Sequence, residues 1–110
     1  MVRQDRHNRI FRAVADPTRR SILERLRERE LTVLELCEPF RITQPSLSKH
    51  LAVLRRSGLI SARRSGRHRY YRLSLEPLEQ IATWVALFRD VRDPSGHVWR
   101  IRQNHDGKET

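Results

Sequence analysis

Nine basic side chains, Arg41, Lys49, Arg55, Arg56, Arg63, Arg64, Arg67, Arg69 and Arg72, lie between Pro39 and Leu75, with no aspartate or glutamate among them. That stretch carries +9 of the formal net charge of +10 on 110 residues, while the other 73 hold fourteen basic and thirteen acidic residues. One sign concentrated so locally can neutralise a polyanion. A merely solvated face mixes signs, as Glu24-Arg25-Leu26-Arg27-Glu28-Arg29-Glu30 does. A helix lying on an anionic membrane would gather its charge along one face, opposite a broad apolar one. Here the charge spreads over a helical stretch and a strand-turn-strand stretch, so the expected polyanion is nucleic acid, with no membrane involved.

Charge holds a duplex without reading it; reading needs groups that reach base edges. Gln44 can bond an adenine bidentately, Ser46 and Ser48 can bond either partner of a base pair, and Ala52 is small enough to approach a thymine methyl. Leu47, Leu51 and Leu54 follow at i, i+4 and i+7, which turns one stripe of a helix inward and leaves Pro45, Lys49, Ala52 and Arg56 opposite. Thr43 and the free N–H groups at the start of that helix suit a phosphate. His50 lies close to the buried stripe, where a core-edge or phosphate-bonding role competes with base reading. Farther on, Arg63, Arg64, Arg67, His68 and Arg69 flank Ser65-Gly66. They would reach an adjacent minor groove or its phosphates, and arginine is favoured where a narrow groove concentrates negative potential.

Other chemistries find little support. There is no glycine-rich phosphate loop, no Gly-x-Ser-x-Gly and no His-Glu-x-x-His, and the chain has four glycines in all. Asp16 and Glu35 serve better as helix caps than as a catalytic carboxylate pair, so neither an enzyme nor a cofactor is expected. Cys37, the one cysteine, excludes an intramolecular disulfide framework and a zinc ribbon, and fits a reducing compartment. No apolar run approaches the ~20 residues that cross a bilayer. Met1-Val2-Arg3-Gln4-Asp5 leads into no apolar stretch of the kind a secretory signal needs, so the cytoplasm is the expected location. The length suits one domain with a modest core.

The elements that must position these groups follow from spacing and punctuation. Ile10, Phe11 and Val14 give a first helix from about Gln4 to Ala15. Asp16-Pro17 starts a second, running to about Arg29 with Ile22, Leu23 and Leu26 inward. Leu31-Thr32 breaks it, and Thr32 with Glu35 forms a capping-box pattern for a short third helix that ends near Pro39. Thr43 caps the fourth, which Gly58 ends in the left-handed conformation. Two strand-like runs joined at Ser65-Gly66 make a hairpin, with Tyr71, Leu73 and Leu75 on its buried face. A last helix runs from about Glu76-Pro77 to about Val91, and Asp93-Pro94-Ser95-Gly96 closes it. The order is mainly α with a small β-hairpin, ααααββα, which is a winged helix-turn-helix. Residues 1–92 are expected to form its DNA-binding and dimerising domain. Residues 93–110 are expected to be a polar tail with Val98, Trp99 and Ile101 embedded in it.

Four segments together resemble, in the family's order, the ArsR-type winged-helix repressors. They are Ala15-Asp16-Pro17-Thr18-Arg19-Arg20-Ser21-Ile22-Leu23, Thr43-Gln44-Pro45-Ser46-Leu47-Ser48-Lys49-His50-Leu51-Ala52-Val53-Leu54-Arg55, Gly58-Leu59-Ile60 and Gly66-Arg67-His68-Arg69-Tyr70-Tyr71-Arg72-Leu73. The resemblance covers about residues 8 to 88. It implies a homodimer that binds an inverted-repeat operator and usually represses, with inducers ranging from metal ions to none known. The family's thiolate site has Glu-Leu-Cys-x-Cys-Asp-Leu at its third helix. This chain reads Glu30-Leu31-Thr32-Val33-Leu34-Glu35-Leu36, so Thr32 and Leu34 stand where both thiolates would be. Cys37 supplies one soft ligand where a metalloid needs about three, and is expected as a small buried hydrophobe. The family's other metal site pairs Asp-x-His with a later His-x-x-His or His-x-x-Glu on the last helix. Asp90-Val91-Arg92 lacks that His, and His97 and His105 fall eight apart in the tail. The metal-independent branch is therefore expected. The alternatives are a metal- or redox-responsive repressor of the same fold and a sequence-blind architectural DNA-binding protein.

The last helix carries a second apolar stripe, Trp84, Leu87 and Val91, beside Leu78, Ile81, Ala82, Val85 and Phe88. A helix apolar on more than one side needs two partners. With the first helix this resembles the family's dimer interface, giving Ile10, Phe11, Val14, Leu78, Ile81, Trp84, Val85 and Phe88 as expected contacts with a second copy. The alternative is that Trp84 only covers the hairpin. Two-fold symmetry would place two recognition helices roughly 34–36 Å apart, facing successive major grooves.

Overall fold

The computed structural model describes residues 2–92, 94–96 and 98–100. The chain runs α1 (Val2–Val14), α2 (Pro17–Leu26), β1 (Leu31–Thr32), α3 (Val33–Cys37), a 3₁₀ turn (Glu38–Phe40), α4 (Gln44–Arg56), β2 (Ile60–Ser65), β3 (His68–Leu73), α5 (Glu76–Ala86), β4 (Asp90–Arg92) and β5 (Val98–Arg100). One antiparallel sheet has the order β1-β3-β2, and β4 pairs with β5 in a second. Among the described residues no helix is long and apolar enough to cross a membrane.

The helices begin and end where side chains satisfy their free backbone groups. Asp16 accepts from the Arg19 N–H at 3.0 Å, with Pro17 opening α2. The Arg19 side chain reaches back, donating to the carbonyls of Ala13 at 2.7 Å and Arg12 at 2.9 Å, and so closes the C-terminus of α1. Thr32 accepts from the Glu35 N–H at 3.3 Å while Glu35 accepts from the Thr32 N–H at 2.9 Å, a complete capping box. The Thr43 hydroxyl accepts from the Ser46 N–H at 3.2 Å. At the other end of α4, Gly58 donates to Arg55 O and Leu59 to Leu54 O, both at 3.0 Å. That is the paired bonding of a Schellman motif, and Gly58 takes the positive φ of 79° it requires. Arg41 holds a left-handed φ of 54° in the turn before α4.

Ile10, Ile22, Leu26, Leu31, Leu36, Leu47, Leu51, Leu54, Leu59, Ile60 and Tyr71 meet in one core, so α1 to α4 and the sheet share a single interior. Leu47, Leu51 and Leu54 are at most 2% exposed, which makes them the inward stripe expected of α4. Leu31 supplies the third strand: it is buried and pairs with Tyr71, while Thr32 pairs with Tyr70.

Four expectations change. The second helix stops at Leu26 instead of Arg29, because residues 27–29 turn to bring Leu31 into the sheet. The hairpin turn is centred one residue later: Ser65 pairs with His68, leaving Gly66-Arg67 as the loop. Gly66, at φ 63°, then stands first in the loop, as in a type II′ turn. Leu75 is 61% exposed, because inward alternation stops at Leu73 and Leu75 lies at the start of α5. The last helix ends at Ala86, five residues short of Val91. Leu87, Phe88 and Arg89 donate back three residues in a tightened turn, and Asp90 enters β4. Leu87 is 74% exposed, so no core contact holds a further helical turn. Of the expected tail, residues 98–100 pair with 90–92, with Val91 opposite Trp99. Asp93, His97, Ile101 and His105 lie outside the described residues.

Candidate nucleic-acid interface

With its leucines inward, α4 presents Gln44, Pro45, Ser46, Ser48, Lys49 and Arg56 to solvent, with Thr43 exposed at its cap and Ala52 half-buried. Lys49, Arg55 and Arg56 have no carboxylate within ion-pair distance among the described residues. Thr43 uses its lone pair as the cap and keeps its O–H as a donor.

His50 does not share that outward face. Its Nδ1 lies 3.4 Å from an Arg19 guanidinium nitrogen and 3.8 Å from Asp16 Oδ2, so the ring packs against the start of α2. Of the roles open to it from sequence, the core-edge one fits this position. Asp16 is held below its ordinary carboxylate range, chiefly by the Arg19 backbone N–H and further by the charges of His50 and Arg19. One small network thus ties the end of α1 and the start of α2 to the flank of α4.

On the hairpin, Arg64, Arg67, His68 and Arg69 are exposed, and none has a carboxylate partner among the described residues. Arg64 stands directly opposite Arg69 across the β2–β3 ladder. Like charges so placed repel, and a polyanion laid along the hairpin relieves them. Arg63 differs. It bonds Glu30 at 2.7 and 2.8 Å and lies 5.1 Å from the centre of the Tyr70 ring. Glu30 holds the Arg63 guanidinium charged even beyond its ordinary range. Arg72 approaches the same carboxylate at 3.9 Å. The acid-free stretch of sequence therefore meets an acid in space, and Arg63 anchors the base of the hairpin instead of reaching out from its tip. Nothing local to either residue signals this pairing, which spans 33 positions.

A second face is built by α1 and α5, which pack on each other. Phe11 meets Trp84 edge-on with ring centres 5.4 Å apart, and Trp84 meets Phe88 at 4.9 Å. Arg6 and Glu76 join the two helices at 2.8 Å. Trp84, Leu87 and Phe88 remain 45%, 74% and 46% exposed, and Val85 is half-buried. Val14, Leu78 and Ile81 line an apolar groove of about 320 Å³ with Leu23 and Leu73. Ile10 is the exception among the expected contacts. It is 0% exposed inside its own core and has no surface to offer a second chain. Trp84 packs on Phe11 and Phe88.

At the positions of the resembled thiolate site, the Thr32 hydroxyl is taken by the α3 cap and Leu34 is 67% exposed. Cys37 is half-buried against the core. Asp90-Val91-Arg92, expected on the last helix, lies in strand β4.

Residues 16–62, from the α2 cap into β2, match the family described as bacterial regulatory protein, arsR family. The transcriptional repressor SdpR of Bacillus subtilis is 38% identical over 81 residues, which make up 74% of this chain and 90% of that protein. The arsenical resistance operon repressor of Escherichia coli is 39% identical over 95 residues, 86% of this chain and 73% of that one. A crystal structure of an ArsR family transcriptional regulator superposes with a TM-score of 0.72 at 40% identity, covering 76% of this chain and 87% of the other. Four helices, a three-stranded sheet with an arginine-bearing hairpin and a final helix make a winged helix-turn-helix, and the chain belongs to the ArsR family of bacterial regulatory proteins.

Proposed function

We propose that the protein is a sequence-specific double-stranded DNA-binding transcriptional regulator, a repressor that acts as a homodimer on an inverted-repeat operator. The observation that carries this reading is the α4–hairpin face. Gln44, Ser46 and Ser48 stand outward on a helix whose leucines are fully inward, beside arginines with no carboxylate partner among the described residues. Thr43, Pro45, Lys49, Ala52 and Arg56 complete the reading helix. Arg64, Arg67, His68 and Arg69 form the wing, with Arg63 supporting it. Repression is supported by the names of two relatives, both repressors. Phe11, Val14, Leu78, Ile81, Trp84, Val85 and Phe88 form the contact with the second copy, and residues 1–92 act as one DNA-binding and dimerising unit. Such a protein works beside the chromosome, in the cytoplasm.

We also infer that it belongs to a metal-independent branch. The E. coli relative is named for arsenical resistance, but the two thiolate positions here hold a helix-capping Thr32 and a solvent-facing Leu34. Operator affinity is expected to be unchanged by a chelator.

The test is a genome-wide footprint followed by affinities for the recovered site and for random duplex at one salt concentration. A regulator of this kind holds its operator at least ~10³-fold more tightly. A ratio near one would replace the proposal with sequence-blind binding.

A further inference from the structure

A cleft of about 150 Å³ opens between α1 and the C-terminal end of α4, lined by Arg9, Arg12, Val53, Arg56 and Ser57. Three of its five lining side chains are guanidinium groups, and none of the three has a hydrogen-bond or ion-pair partner among the described residues. Neighbouring arginines are engaged: Arg6 with Glu76, Arg19 and Arg20 with the last carbonyls of α1, and Arg63 with Glu30. Arg12 and Arg56 sit in last helical turns, where a cation complements the helix dipole. That role does not explain Arg9, which lies in the middle of α1, nor three cations around one cavity. Ser57 also lines the cleft, with its hydroxyl donating to Leu54 O at 2.9 Å. Like charges gathered without a counterion repel, and the fork of a guanidinium matches the oxygens of a phosphate. Arg56 also belongs to the outward face of α4, so the cleft adjoins the reading surface.

We infer that this cleft binds a phosphate group, and that the group is a backbone phosphodiester of the duplex on which α4 docks. The DNA footprint then extends onto α1, outside the basic stretch that the sequence singles out. This inference rests on α4 being the reading helix, and the tests below separate the two. In the full chain without DNA, inorganic phosphate should shift the side-chain N–H resonances of Arg9, Arg12 and Arg56 together. In the Arg9→Gln/Arg12→Gln variant the Arg56 shift should be lost. The same variant should bind operator and random duplex alike roughly ten- to hundredfold more weakly and flatten the slope of log K against log salt by about 2. Arg9→Lys/Arg12→Lys, which keeps the charge, should retain the slope, and circular dichroism should show both variants folded. A folded glutamine variant with an unchanged slope overturns the DNA assignment; if phosphate still shifts the three arginines, the cleft serves a free phosphate-bearing ligand instead. Absence of any phosphate response in the wild type, together with an unchanged slope, overturns the site altogether. A wild type that binds no duplex overturns the α4 reading, while the phosphate titration still decides the cleft.

Discussion

On α4 the leucines are hidden and the polar groups displayed: Leu47, Leu51 and Leu54 are at most 2% exposed, while Gln44, Ser48 and Lys49 stand in solvent. On α5 the apolar groups are displayed, with Trp84, Leu87 and Phe88 between 45% and 74% exposed. Both helices are of similar length, thirteen and eleven residues, and both pack one side on the same protomer. They differ in what the other side lacks. The α4–hairpin face has cations without counterions, a shortage felt over about a Debye length and screened by salt. The α5 face has apolar surface without cover, a shortage felt only at contact and largely indifferent to salt. These two shortages match the two partners we propose, duplex DNA for one face and a second copy for the other.

The largest effect should come from breaking the apolar face. Trp84→Glu/Leu87→Glu should leave a folded monomer in sedimentation velocity, and operator affinity should fall by about 10²–10⁴-fold as two linked half-site contacts become one. An unchanged dimer would place self-association elsewhere. Next comes the wing. Arg64→Ala/Arg67→Ala should weaken operator and random duplex alike and flatten the salt slope by about 1 per arginine. Arg63→Ala should change that slope less, since its charge already faces Glu30. Gln44→Ala should cost about 1–3 kcal/mol on the operator and little on random duplex. Equal losses on both would remove Gln44 from base reading.

The smallest effect concerns the frame beneath both faces. Asp16 and Glu35 are both held below their ordinary carboxylate range, chiefly by backbone N–H groups of Arg19 and Thr32. A carboxyl depressed in the folded state contributes stability above its unfolded pKa of about 4, and that contribution is lost as pH falls through the lower folded value. Asp16→Asn keeps a cap acceptor but removes the charge. Denaturant melts should show it about 0.3–1 kcal/mol less stable at pH 7. The gap should narrow as the pH falls below about 4 and through the lower folded value; a constant gap would mean the charge plays no part.

Where a feature depends on residues near one another in sequence, the sequence shows it. The caps at Asp16, Thr32 and Thr43, the leucine stripe of α4 and the left-handed Gly58 are all of this kind. Features that depend on distant partners are not visible that way. The two-residue strand β1 is too short to show a period, and only its pairing with Tyr70 and Tyr71 defines it. Leu87, Phe88 and Val91 satisfy helical spacing, yet no core waits for them, so the helix stops at Ala86. Apolar spacing put Ile10 with Phe11 and Val14 but could not say which of two partners each would meet. Charge counting isolated residues 39–75, yet Glu30 folds against that stretch, and Arg9 and Arg12 join its edge from α1.

The division between the two faces is tested most directly by measuring, on one preparation, how DNA binding and self-association each depend on salt. If the dimer makes about eight phosphate contacts, log K for DNA should fall with log salt at a slope near −7. The dimerisation constant should stay nearly flat over the same range. A dimer that dissociates as steeply as the DNA complex, or a DNA slope near zero, would contradict the assignment of charge to one face and apolar contact to the other.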